Sequence, residues 1–363
     1  MSILLFFLIL LLLVIAHEFG HYIVAKLFKI RVDEFAFGFP PRIFSIKKGE
    51  TNYSFNALPI GGYVSIYGEN ALLVQDDADK ARAFSAKSRW IQSAVIVAGV
   101  IFNLILAWIL ISSTLMIGIA SPVDNDEGYP VQNAKLMVTD LAAKGPAQTA
   151  GLKQGDTLVS LSDGALTVTT DSPEAVSSFI GTREGKEITV TYTRKGEAGH
   201  VSVTPVMGIS QKGAAIGIYM DMIGTLKLPF FAALVDGAQK TYLYTKLTAN
   251  GIYTFIAQAI TGHADYSQVT GPVGIVGAVG EAAGIGFANL ILFTALISIN
   301  LAVINIIPFP ALDGGRLLFI IIEGITRRPI KAQVANVMNM IGFALLMLLM
   351  VAVTYHDIAK LIH

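Results

Sequence analysis

No cysteine occurs in the 363 residues, which excludes disulfides and thiolate metal ligands and leaves imidazole and carboxylate as the side-chain donors for any metal. Charge is scarce too: Asp, Glu, Lys and Arg make up 14% of the chain and cancel to a formal net charge of zero. That leaves no basic footprint, so no nucleic-acid partner is expected. Histidine occurs six times, so the places where it clusters are informative. Apolar residues, by contrast, form 53% of the chain, and a polytopic membrane protein is the expected class.

Four apolar stretches are long enough to span a bilayer: Ile3 running into Ala16 and beyond, Ile91 to Ile119, Leu290 to Ile322 (interrupted by Pro308, Pro310 and Asp313), and Val337 to Thr354. The first has no basic n-region and no small-residue cleavage site, and reads as a retained helix rather than a signal. Lys26, Lys29, Arg31, Arg42, Lys47, Lys48, Lys80, Arg82, Lys87 and Arg89 follow the first stretch, and Arg327, Arg328 and Lys331 precede the last. By the positive-inside rule both connections face the cytoplasm, with the central region outside.

His17-Glu18-Phe19-Gly20-His21 continues the first apolar run. Four helical residues turn through about 400°, so His17 and His21 share a face and can bind one ion, with Glu18 beside them to take a proton from water. Ionisable groups in a membrane segment each cost about 2–3 kcal/mol to insert, which makes a functional site the default reading. A catalytic zinc needs a third protein ligand. Asp313 is the stronger candidate because Pro308 and Pro310 break the helix beside it; Glu323, near Arg327 and Arg328, is the weaker.

From Val131 to Met222 the chain is polar with period-two stretches and reads as a small β-rich domain. Leu226 to Ala259 has helical spacing and reads as an amphipathic helix at the membrane face. Between Glu34 and Gly68, aromatic residues alternate with polar ones around Pro40-Pro41 and Lys47-Lys48-Gly49-Glu50. This is read as a membrane-associated β-hairpin, either a plain cytoplasmic loop or an edge that accepts an unwound substrate as an added strand. His200, His263, His356 and His363 are read as solvated, and Asp140, Asp156, Asp163 and Asp171 as turn residues bonding local backbone.

His17, Glu18 and His21, together with Asn305, Pro308, Pro310, Leu312, Asp313 and Gly314 in an N-x-x-P-x-P-x-L-D-G pattern, resemble the site-2 protease family of intramembrane zinc metalloproteases. The bacterial branch that cleaves anti-sigma factors is the nearer match. Gly61-Gly62-Tyr63-Val64, Gly271-Pro272-Val273-Gly274-Ile275 and Asn103 also fall where that family has its characteristic elements, and Lys144 to Asp156 resembles a PDZ segment. The resemblance implies Zn2+ held by His17, His21 and Asp313, with Glu18 as base and acid. Asn305, Pro308, Pro310, Gly61, Gly62 and Tyr63 are implied substrate contacts, while Asn103 reads as a helix-to-helix hydrogen bond.

The expected architecture is a polytopic α-helical membrane protein of about four transmembrane helices, with a membrane-associated β-hairpin region and an inserted PDZ domain. Its expected parts are 1–130 (first helix, hairpin, second helix), 131–222 (extracytoplasmic PDZ domain), 223–285 (amphipathic connection) and 286–363 (the D-G helix and last helix). The expected activity is hydrolysis of a peptide bond in the transmembrane segment of single-pass proteins, anti-sigma-factor-like substrates or remnant signal peptides. The partners are those substrates, the bilayer, and peptide segments at the PDZ domain, in an inner (plasma) membrane with the active site toward the cytoplasm. The alternatives are a non-catalytic PDZ scaffold with a structural metal site and a zinc transporter.

Overall fold

A computed structural model describes residues 1–69, 77–124, 128–194, 196–210, 213–263 and 269–362. They form two compact units, Met1–Thr114 with Phe231–His363, and Leu115–Phe230. In the first unit, α1 (Ser2–Leu27) buries Ile9, Leu13, His17, Gly20, His21 and Ala25. These recur at three- and four-residue spacing and so form one stripe. Leu4, Leu8, Leu12 and Phe19 point the other way and are exposed, as a lipid-facing surface requires.

Strands β1 (Val32–Lys48) and β2 (Thr51–Ile66) follow, joined by a turn at Gly49 (φ +65°). The first half of β1 is paired twice: Phe35 lies opposite both Tyr53 and Val64, and Ala36 opposite both Ser54 and Tyr63. The end of β2 therefore folds back along the free side of β1, and Gly62 to Ile66 becomes an outer strand. Tyr22, Phe35 and Tyr53 rings meet edge to face beneath it. Helix α2 (Arg89–Ile117) completes this part.

The second unit is built on a seven-stranded sheet. Its strands are β3 (Ile119–Pro122), β4 (Val131–Leu141), β5 (Thr157–Ser162), β6 (Thr167–Thr169), β7 (Ile188–Arg194), β8 (Glu197–Val203) and β11 (Ile218–Leu226), in the order β3-β11-β4-β5-β7-β8 with β6 on β5. β9 (Val206–Ser210) and β10 (Gly213–Ala215) pair separately, and the short α3 (Pro146–Thr149) and α4 (Pro173–Gly181) complete the unit. Alternate strand residues supply the core, Leu136 and Val138 and Ile188 and Val190, with Leu158 and Leu161 on either side of a register shift in β5, closed by Val176, Phe179 and Ile180 of α4. Ser172 caps α4 by accepting from the Ala175 amide, with Pro173 at its first position. Of the acids read as turn residues, Asp140, Asp156 and Asp163 do bond nearby amides, and Asp156 is in addition fully buried and receives two hydrogen bonds from Arg194, at 2.6 and 2.7 Å.

The first unit resumes with α5 (Phe230–Ile260), α6 (Pro272–Ile285), α7 (Phe287–Ile306), α8 (Asp313–Thr326) and α9 (Ala332–Ile362). Among the described residues, α1, α2, α7 and Ala332–Lys360 of α9 are long and apolar enough to cross a membrane. The chain is thus the polytopic helical membrane protein with a hairpin region and an inserted β-rich domain that the sequence predicts. Two details differ. The third apolar stretch is two helices, because Pro308 and Pro310 end α7 and Asp313 starts afresh in the first turn of α8. The segment containing Gly271-Pro272 is a helix packed into the bundle, with Ile275 and Val279 against Ile9 and Leu13 of α1. Asp357 of α9 caps it, accepting the Gly271 and Gly274 amides at 3.1 and 2.8 Å.

His200 and His263 are exposed, as expected. His356 is not simply solvated: it is half-buried, and its Nε2 is shut off from solvent with no partner among the described residues. His363 lies outside the described residues.

Candidate metal centre

Two helices bring three donors together. α1 supplies His17 and His21, one turn apart, and the first turn of α8 supplies Asp313. One donor atom from each lies within 4.8 Å of the others. Asp313 Oδ2 is 2.9 Å from His17 Nε2 and 3.2 Å from His21 Nε2, and the two Nε2 atoms are 3.2 Å apart. Both imidazoles are buried, and all three groups would need an ion or shared protons to sit so close.

α2 holds the far side of both rings. His21 Nδ1 donates to the Val95 carbonyl at 2.8 Å, which places its proton on Nδ1 and turns the Nε2 lone pair inward. Asn103 Nδ2 lies 3.1 Å from His17 Nδ1, and its Oδ1 is buried with no partner among the described residues. An amide can be rotated by a half-turn, and with Oδ1 against Nδ1–H the second imidazole takes the same tautomer. Asn103 is itself fully buried, and its carbonyl receives Ser298 Oγ of α7 at 2.8 Å. The expected helix-to-helix hydrogen bond is present, and its partner is a member of the site. Gly99, one turn before Asn103, gives the rings room, since a Cβ there would stand 2.7 Å from Cε1 of both His17 and His21.

These groups open onto a cavity of about 380 Å³ lined also by Glu18, Tyr63, Val64, Ile96 and Arg316. Glu18 and Val64 line this cavity together, so the outer strand of the hairpin stands beside this carboxylate. Tyr63 reaches the cavity wall and donates to Glu34 Oε2 at 3.0 Å. Gly62 has no room for a side chain because Ala36 O and Val14 lie against it, and Gly61 is covered by the Phe39 ring. Asn305 is at the end of α7, and Pro308 and Pro310 lie in the turn before α8. None of these three is among the residues that line the cavity, whereas Tyr63 is. The tight start of α8 explains Gly314 and Gly315, whose α-carbons press against the carbonyls of Ile306, Ile307 and Phe309.

Glu323 is away from the histidines. It pairs with Arg89 at 2.8 Å and accepts the Ile330 amide at 2.8 Å, which removes it as a rival to Asp313 in this geometry. Sequence reasoning misses Val95, Gly99 and Arg316. Val95 acts through its carbonyl, which no side-chain pattern reveals, whereas Gly99 beside Asn103 is a signal that the sequence does carry.

Residues 5–349 match the model of peptidase family M50. A Clostridium acetobutylicum protein that bears a zinc metalloprotease name is 34% identical, covering 95% of this chain and 94% of its own length. Regulator of sigma-W protease RasP of Bacillus subtilis is 31% identical, covering 96% of each. Zinc metalloprotease RasP of Oceanobacillus iheyensis is 30% identical over the same shares. Among solved structures, the PDZ domain of an SdrC-like protein of Listeria monocytogenes matches 25% of this chain and 90% of its own, at 21% identity and a TM-score of 0.21. The chain belongs to peptidase family M50, and it is a membrane metalloprotease of the site-2 protease type.

Proposed function

We propose that this protein is a zinc endopeptidase that hydrolyses a peptide bond within the transmembrane segment of single-pass membrane proteins, in regulated intramembrane proteolysis. The observation that carries this reading is the convergence of His17, His21 and Asp313, 296 residues apart at the extremes, beside Glu18 in one cavity. The donor set fits zinc: two imidazoles whose Nδ1 atoms are engaged elsewhere, one carboxylate, and an open side toward the cavity. His17, His21 and Asp313 would hold it. Zinc, when bound, polarises the scissile carbonyl and acidifies water. Glu18, in the same cavity, takes the proton of the attacking water and returns it to the leaving amine.

A transmembrane substrate has its amides paired within its own helix, and opening it leaves them unpaired in an apolar medium. The outer strand Gly62 to Ile66 runs past Glu18 and supports a substrate strand added along it, with Gly61, Gly62 and Tyr63 as its contacts. Asn305, Pro308 and Pro310 would meet the same strand from the α7–α8 turn. Anti-sigma-factor-like proteins and remnant signal peptides are the substrates of this reading. The protein sits in the inner (plasma) membrane with the active site toward the cytoplasmic side. The inserted PDZ-like domain is extracytoplasmic and binds peptide segments there.

The test is zinc content and cleavage of a tagged single-pass substrate in liposomes. Wild type and Glu18→Gln retain zinc, Asp313→Ala binds it weakly, and only wild type cuts. Cleavage by Glu18→Gln would overturn the hydrolytic mechanism. Zinc without cleavage by wild type, across a panel of single-pass substrates, would favour a peptide-binding scaffold.

A further inference from the structure

α8 has no helical continuation at either end. Ala311 (φ +76°) and the Pro308 and Pro310 turn precede it, and Arg327 (φ +54°) ends it. Its place must therefore be fixed from the side if Asp313 is to arrive at the imidazoles. Asp313, Arg316, Ile320 and Glu323 follow one another at spacings of three, four and three, which puts them within an arc of about 80° on one helical face. Along that face Asp313 meets the histidines, Arg316 pairs with Glu69, Ile320 is buried in a cluster with Val95 and Ile96 of α2, and Glu323 pairs with Arg89. Glu323 is well covered, its side chain 14% exposed, while Arg89 is 41% exposed.

Arg89 is the first residue of α2, and α2 is also the helix whose Val95 carbonyl and Asn103 amide hold His21 and His17. Two of the three candidate ligands are thus referred to α2 by hydrogen bonds, and the third rides on a short helix that Arg89 clips to the same α2. An ion pair has a defined separation and geometry, which apolar packing alone lacks, so this clip resists sliding or rotation of α8 in a way that Ile320 cannot.

We propose that Arg89 and Glu323 are positioning residues for the metal centre: their ion pair registers α8 on α2 and so sets Asp313 against imidazoles registered on the same helix. This rests on the reading of Asp313 as a ligand.

The experiment loads the full chain in detergent with cobalt(II) in place of zinc, and reads visible absorption per bound ion together with affinity by chelator competition. Asp313→Ala gives the reference spectrum for a missing carboxylate. Glu323→Gln and Arg89→Gln should shift the spectrum toward that reference and weaken cobalt binding about tenfold, the range seen when groups that orient a metal ligand are lost. The reversed pair, Arg89→Glu with Glu323→Arg, should recover both. If the single variants fold poorly, Arg89→Lys, which keeps the charge and loses the fork, should show a smaller shift in the same direction. Singles or Arg89→Lys with a wild-type spectrum per bound ion, or a reversed pair no better than the singles, would overturn the inference while leaving Asp313 as a ligand. An Asp313→Ala spectrum identical to wild type would remove the ligand itself and the inference with it.

Discussion

Gly99 faces His21 across the α1–α2 contact so closely that a methyl group would displace the ring: a built Cβ lies 2.7 Å from His21 Cε1 and closer still to Nε2. Alanine is the better helix former by about 1 kcal/mol. Gly99→Ala should therefore keep α2 and the fold while pushing both imidazoles off their common point. The expected result is protein of wild-type yield and thermal stability that no longer retains zinc through gel filtration. Retention of stoichiometric zinc would show that the rings can move aside without losing the ion.

Asn103 touches His17 from behind the site. Asn103→Ala should lower metal affinity about 10- to 100-fold, as loss of groups that orient a ligating imidazole does. Chelator competition measures this directly. Asn103→Asp, which keeps an acceptor at Nδ1–H, should recover part of the loss.

Asp357 caps α6 from another helix. Gly271 and Gly274 are bare on that side, with a Cβ on Gly271 standing 2.7 Å from the carboxylate. Asp357→Ala should cost about 1–2 kcal/mol, in the range for a lost N-cap at a helix dipole. A lower Tm in detergent with unchanged zinc content is expected, since α6 touches α1 through Ile9 and Leu13, the turns before His17, and neither is one of the three donors.

Asp163 in the β-rich unit accepts the Leu166 amide, an Arg183 hydrogen bond and the Ala165 amide, which together hold its carboxyl at about 2. The folded value is below the unfolded one of about 3.9. Its stabilising contribution is therefore complete above about pH 4 and is lost as pH falls toward 2. Hydrogen exchange of the Ala165 and Leu166 amides should accelerate across that window in wild type, and Asp163→Asn should flatten the response.

The parts of this fold that are legible in the sequence are those encoded locally. Apolar runs mark α1, α2, α7 and α9, and the His-x-x-x-His spacing by itself puts two donors on one helical face. α6 reads as a connection because its fourteen residues include four glycines, which weaken a helix by about 1 kcal/mol each. What makes it helical is distant: Ile9 and Leu13 on one side and Asp357 on the other. Glu323 reads as a weak candidate ligand for the same reason. Its partner Arg89 stands on another helix, and only the folded chain brings that guanidinium beside it. The Val95 carbonyl has no signature at all, because any residue type carries one.

Asp313 follows His17 of α1 in the chain by 296 residues, and so is made long after it. A nascent chain that has made α1, α2 and the β-rich unit holds Glu18 and both imidazoles but lacks Asp313, the third candidate ligand. If His17, His21 and Asp313 hold the zinc as proposed, such a chain would lack proteolytic competence until α8 docks against α1 and α2. On that reading the order of the sequence is itself a safeguard, since a truncated product would carry two of the three candidate ligands.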